Sequence, residues 1–218
     1  RTPASYCGLA GLKATYGLVS RAGVIPHSFS LDYCGPLTRT VEDGAIVLQA
    51  IAGHDPRDPG SARVDIPDYR AALGRSVKGM RIGLLRHVWE EDNPAGPALR
   101  QATEEAIAVL KDLGAQVETA QVAPAQVAPA QIYSDVKAIV CEVEAFAVQR
   151  ANLATRLKDY GADYLGQVLL ALLIAPADYV RAQRHRRILV EQMQPLYERY
   201  DILVTAGLGP APTLAAQA

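Results

Sequence analysis

Four stretches of this chain carry residues whose types could do chemistry. In "HSFSLDYCGP" (27–36) His27 stands beside Ser28, Ser30 and Asp32, the residue types of nucleophilic acyl transfer. Side chains this close on an irregular strand point to opposite faces, so the spacing argues for a structural role. "HDPRD" (54–58) offers His54, Asp55 and Asp58. Five residues in a proline turn supply only part of a metal shell, and a solvated turn is the expectation, with no metal. "GLAGLKAT" (8–15) has the glycines of a phosphate loop at the wrong interval, Gly8 and Gly11 being too close and Leu12 intervening before Lys13. On "YVRAQRHRR" (179–187), Tyr179, Gln183 and Arg186 fall at helical spacings of four and three and share a face. That face is read either as a pocket wall or as solvated surface. From the residues alone, no complete catalytic set is visible.

The elements that must hold these residues fall into three stretches. Residues 1–37 carry five glycines between the β-prone pieces "LKATYGLVS" and "AGVIP", which predicts strands and tight turns rather than helix. At Thr40 the period changes. Thr40 as N-cap, Asp43 as capping-box partner, apolar Val41, Ile46, Val47, Leu48 and Ile51, and Gly53 at C′ predict a helix. Prolines 56, 59 and 67 then impose an irregular crossover.

A strand at 78–85, a helix at 97–114 begun by Pro97 and closed by Gly114, and a strand at 115–122 predict a βαβ unit with parallel strands. The helix is expected to align Leu99, Ala102, Ala106, Val109, Leu110 and Leu113. The tandem "VAPAQVAPAQ" (122–131) reads as a slack linker. Two long amphipathic helices follow, with a shorter one around Leu165–Leu173 between them, and "DILVTA" (201–206) reads as a buried strand.

The 218 residues are half apolar and about a fifth charged, with a net charge of −1, ordinary for a globular α/β chain. The Lys and Arg residues are scattered among carboxylates, which argues against nucleic acid as a partner. Cys7, Cys34 and Cys141 form neither an even disulfide set nor a C-x-x-C pair. Reduced, buried thiols in a cytoplasmic protein are expected. The longest apolar run, 168–177, is too short for a bilayer span, so no membrane partner is expected.

Residues 1–59 closely resemble the amidase signature family. The motifs R-x-P-A, C-G, G-L-K, T-Y-G, S-L-D-x-x-G-P, R-T-V-E-D and H-D-P-R-D all occur in the family's order. The resemblance continues through "KGMRIGLL" (78–85), "ADYVRAQRHRR" (177–187) and "YDILVTAGLGPAP" (200–212), where "TAGLGPAP" departs from the commoner Thr-Pro-Thr.

The resemblance implies a partial amidase-signature fold, a mainly parallel mixed sheet flanked by helices and incomplete at both ends. The chain would form part of a single amidase domain: 1–59 ending the signature segment, 78–122 the βαβ unit, 132–206 the helical segment and late strand. The implied activity is hydrolysis of a small-molecule amide by a Ser, cis-Ser, Lys triad, without a cofactor. In the family's pattern that triad precedes Arg1, so no catalytic residue is assigned here and the chain alone is expected to be inactive. Substrate-binding expectations fall on Arg1, which would brace the nucleophile loop or meet a carboxylate, and on Tyr179, Gln183 and Arg186. Arg186 matches an arginine that helps bind glutamine-like substrates in relatives. Two alternatives stay open: an A-subunit-like component of a tRNA-dependent amidotransferase, and a non-catalytic scaffold. A homo-oligomer is compatible with each.

Overall fold

A computed structural model describes residues 2–120 and 130–207. Arg1, most of the tandem duplication and the "GPAP" of the late loop lie outside the described residues. The chain divides into two compact units, one built, among the described residues, from 2–24, 33–119 and 204–207, the other from 25–32 with 120 and 130–203.

The first unit opens with a helix where the glycine spacing predicted strands. Helix α1 (Thr2–Cys7) is closed by Gly8 at φ +63°, with the Leu9 N–H returning to Ala4 O at 2.9 Å. An αL glycine just past the last turn is a helix stop, and the same Gly8 reads in sequence as loop punctuation. The expected strands shrink to two residues each, β1 (Ala10–Gly11) and β2 (Leu37–Thr38), paired antiparallel. "LKATYGLVS" runs as turns with a single bridge from Val19 to Ala52.

Helix α2 (Val41–Ile51) has the predicted N-cap: the Thr40 hydroxyl accepts the Asp43 N–H at 3.0 Å. Its buried face differs from expectation. Leu48 packs with Ala14 and Val19, and Gly44 and Ala45 are buried, while Val41, Ile46, Val47 and Ile51 are exposed.

The βαβ unit is present. β3 (Arg81–Leu84) pairs in parallel with β4 (Gln116–Thr119), joined by α3 (Pro97–Asp112), and Gly114 at φ +88° turns the chain into β4. β5 (Ile202–Val204) is the third strand, in the order β4-β3-β5, and the Leu85 N–H donates to Val204 O at 2.9 Å. It is only partly buried, against the expectation of a buried strand.

On α3 the face that packs is Leu99, Thr103, Ile107 and Leu110, with Ile107 fully buried against Ile82, Leu84 and Trp89. Ala102, Ala106, Val109 and Leu113 are exposed, a correction to the predicted alignment. The sequence holds two apolar stripes about a quarter turn apart, and only one can face a sheet. A π turn at Val88–Asp92, unforeseen, buries Trp89 in this core.

"HDPRD" is a solvated turn at His54, Pro56 and Arg57, which are exposed, but not at Asp58. Asp58 is buried and accepts from the Arg21 backbone N–H (2.9 Å), Nε (3.0 Å) and Nη2 (2.8 Å) and from the Gly60 N–H (2.8 Å). Asp55 accepts from Ser20 Oγ and from the Arg57 guanidinium. The Arg21 fork holds the Asp58 carboxyl well below the usual carboxylate range.

The second unit is helical. α4 (Ala130–Arg156), α5 (Ala162–Val168) and α6 (Pro176–Arg199) match the predicted helices, with short 3-10 turns at Leu157–Asp159 and Leu169–Leu173. Pro176 starts α6, where its missing N–H costs nothing. The core joins Ala145 and Leu153 to Val168, with Phe146 and Leu165 against it. Among the described residues no single helix is long and apolar enough to cross a membrane.

Candidate functional site

In the second unit α4, α6 and the segment 25–32 converge on one carboxylate, Glu144. Its place follows from periodicity: Val140, Cys141, Glu144 and Ala145 lie on one face of α4, and three of the four are buried. A carboxylate on such a stripe must find donors. Segment 25–32 provides them because Asp32 folds it into a compact turn: Asp32 Oδ2 accepts the backbone N–H groups of His27 (2.8 Å) and Ser28 (3.0 Å), and Ser28 O accepts those of Leu31 and Asp32.

Both serines then face Glu144. Ser28 Oγ, fully buried, donates to Oε2 at 2.6 Å, the Ser30 N–H donates to Oε2 at 2.9 Å, and Ser30 Oγ donates to Oε1 at 2.8 Å. From α6, the Tyr179 hydroxyl donates to Oε1 at 3.2 Å and Gln183 Nε2 donates to the Tyr179 oxygen at 2.9 Å. Arg186 Nη1 donates to Ser30 Oγ and Nη2 to Ser30 O, both at 2.9 Å. Burial alone would raise the Glu144 pKa, but the donors from Ser28, Ser30 and Tyr179 outweigh it and hold the carboxyl below its ordinary value.

The structure therefore brings Tyr179, Gln183 and Arg186 together on one face of α6, as their spacing predicted, and ties that face to Glu144 and Ser30. Glu144 was missed in the sequence. The signal for it was the second of two acids, Glu142 and Glu144, in the apolar run "IVCEVEAFAV" (139–148), the one in phase with Val140, Cys141 and Ala145. Arg1 lies outside the described residues.

His27, Ser28 and Asp32 do not assemble a relay. Ser28 Oγ points to Glu144, Asp32 takes backbone donors, and His27 Nε2 lies 3.2 Å from Cys141 Sγ. Burial pushes the Cys141 thiol up, which keeps it protonated and poorly nucleophilic. Of the other thiols, Cys34 is half-buried and Cys7 is exposed, the latter against expectation. What the arrangement offers is a rigid mount for a guanidinium, a phenol and an amide, all groups that orient a polar ligand rather than attack it.

The family model for Amidase matches residues 1–218, the whole chain. This chain belongs to the amidase family. Among curated relatives, the A-type subunit of the glutamyl-tRNA(Gln) amidotransferase of Gloeobacter violaceus is 39% identical over 235 residues, covering 99% of this chain and 47% of its own length. Among solved structures, one from a vestigial protein complex bearing on the origins of an s-triazine catabolic enzyme superposes with a TM-score of 0.80 at 31% identity. It covers 94% of this amidase chain and 44% of its own. A bacterial aryl acylamidase of the amidase signature family gives a TM-score of 0.77 at 25% identity, covering 100% and 46%. This amidase chain thus spans about half the length of the relatives it matches, and its fold is the α/β fold of amidase-signature enzymes.

Proposed function

We propose that this chain supplies the substrate-orienting part of an enzyme that hydrolyses carboxylic acid amides through an acyl-serine intermediate. The observation that carries the reading is the mounting of Arg186, whose two Nη groups are fixed on Ser30, which is itself bonded to Glu144. A guanidinium held by two bonds is pre-organised for a carbonyl or carboxylate of the substrate. Tyr179 and Gln183 extend the same polar face, and Arg1 is a further candidate contact.

In such an enzyme a serine oxygen attacks the amide carbon, the C–N bond breaks as the amine leaves with a proton, and water hydrolyses the resulting ester. The residues here would position the amide for that attack. None of the 218 residues matches the family's Ser, cis-Ser and Lys, so the chain alone should hydrolyse no amide. A small-molecule amide is the proposed partner, and free Cys7, Cys34 and Cys141 favour a reducing, cytoplasmic setting.

The experiment is steady-state ammonia release from simple primary amides by the complete protein that carries this segment, beside the 218-residue chain alone. Turnover by the first and none by the second is expected. Turnover by the isolated chain that resists a serine-directed acylating reagent would refute the reading. A second reading, the A-type component of a tRNA-dependent amidotransferase, is favoured by the 39% identity to such a component, and ammonia transfer to a glutamyl-tRNA in a reconstituted complex would discriminate it.

A further inference from the structure

Beyond the polar face, α4 and α6 line an open cleft of about 320 Å³ in the second unit, within the range of small-molecule sites. Its walls are two helical stripes. On α4, Tyr133, Val136, Lys137 and Val140 recur at spacings of three, one and three; on α6, Arg186, Leu189, Val190 and Met193 do the same. The middle is apolar. Among the described residues, the charged groups of the lining are both cations, Arg186 and Lys137.

One polar atom in this lining lacks a partner. The Tyr133 hydroxyl is buried with no hydrogen bond among the described residues, and such a group costs free energy until a ligand or water completes it. Burial and the neighbouring Tyr197 phenol raise its pKa, so at neutral pH it remains a donor. Lys137 is one helical turn from Tyr133 on the same stripe and projects at the exposed rim. An ammonium at the rim of an apolar wall is complementary to an apolar chain that ends in a carboxylate.

We infer that this cleft takes the apolar, carboxylate-bearing part of the amide, with Lys137 at the rim receiving the carboxylate and Val136, Val140 and Leu189 receiving the chain. The inference rests on the amidase reading and sharpens it: the substrates are aliphatic amides with a remote carboxylate, and Lys137 sets the preference for the anion.

The test uses the complete protein and two separable readouts. The first is calorimetric titration with hexanoate and, as the cationic counterpart, hexylammonium. Hexanoate should bind about tenfold or more tightly than hexylammonium, equivalent to about 1.4 kcal/mol. Lys137→Glu should abolish that preference, and Val190→Trp, at an exposed wall position, should weaken hexanoate with Lys137 intact. The second readout is the ratio of kcat/KM for adipamate over hexanamide, which should exceed one and collapse in Lys137→Glu.

Equal affinity for the two ions, no binding of either, or a Lys137→Glu variant that keeps the preference would overturn the inference. Acetamide, too small to need the cleft, reports separately on the amidase reading. Hydrolysis of acetamide without hexanoate selectivity defeats the cleft alone. Selective hexanoate binding without hydrolysis of any amide defeats the amidase reading and leaves the carboxylate site standing.

Discussion

Ser30 Oγ donates to Glu144 Oε1 at 2.8 Å while accepting from Arg186 Nη1 at 2.9 Å, so one hydroxyl couples the buried side of α4 to the polar face of α6. Ser30→Ala removes the bridge but leaves the Ser30 carbonyl, which still accepts from Arg186 Nη2. Arg186 should then lose one of its two anchors, and in the complete enzyme KM should rise several-fold while kcat changes less. A structural role alone would not divide the two constants in this way.

Glu144→Gln puts an NH2 group where Oε2 or Oε1 receives O–H and N–H donors. On either side the amide meets donors already aimed at it. The expected loss is about 2 to 3 kcal/mol, the scale of hydrogen bonds to a charged group, measured by urea unfolding. A change below about 0.5 kcal/mol, the range of an unremarkable surface site, would mean that the donors relax onto other acceptors.

The same carboxylate predicts an acid limb. The folded pKa of Glu144 lies below its unfolded value. The stability it contributes is therefore complete above the unfolded pKa of about 4.3 and is lost as pH falls through the lower, folded one. Asp58 has the same sign. Urea midpoints of the wild type should fall steeply between roughly pH 4.5 and pH 2, and less steeply in Glu144→Gln. An unchanged slope would show that Glu144 is not among the titrating groups.

Asp58→Asn should cost about 3 kcal/mol, because it leaves the largely buried Arg21 guanidinium without its charge partner. Arg21→Lys, which keeps the charge, should still lose much of the same stability, since an ammonium cannot reproduce the Nε and Nη2 fork. Thermal unfolding of the two variants separates a fork from a simple charge pair.

Backbone fit gives a paired test. At Gly35 a Cβ would run into the carbonyl oxygen of Leu12, backbone that cannot swing away, so Gly35→Ala should destabilise the first unit. At Gly166, inside α5, a Cβ meets nothing, and Gly166→Ala should stabilise by up to about 1 kcal/mol. Unfolding midpoints moving in the same direction would contradict this reading of both sites.

Local signals explain what the sequence revealed and what it hid. The cap at Thr40, the Pro97 start and the face shared by Tyr179, Gln183 and Arg186 are all encoded within one or two helical turns, and each is where its spacing placed it. The site's connections are not local: Ser28 reaches Glu144 across 116 positions, and Arg186 reaches Ser30 across 156. Propensity and period carry no information at that range. The inner face of α3 was misassigned for a related reason, because two apolar stripes are equivalent until a sheet selects the one containing Ile107. The buried Asp58 was hidden too, since its partner Arg21 lies 37 positions away in a stretch that reads as loop.

The most direct test of the central claim is amide hydrolysis by the complete protein, comparing wild type with Arg186→Lys and Glu144→Gln. The account predicts turnover by the wild type, a KM raised about tenfold or more in Arg186→Lys, the size of a lost bidentate contact, and a smaller rise in Glu144→Gln, which acts through Ser30. Wild-type KM and kcat in the Arg186→Lys enzyme would contradict it, and Arg186 would then be a structural clamp that no substrate touches.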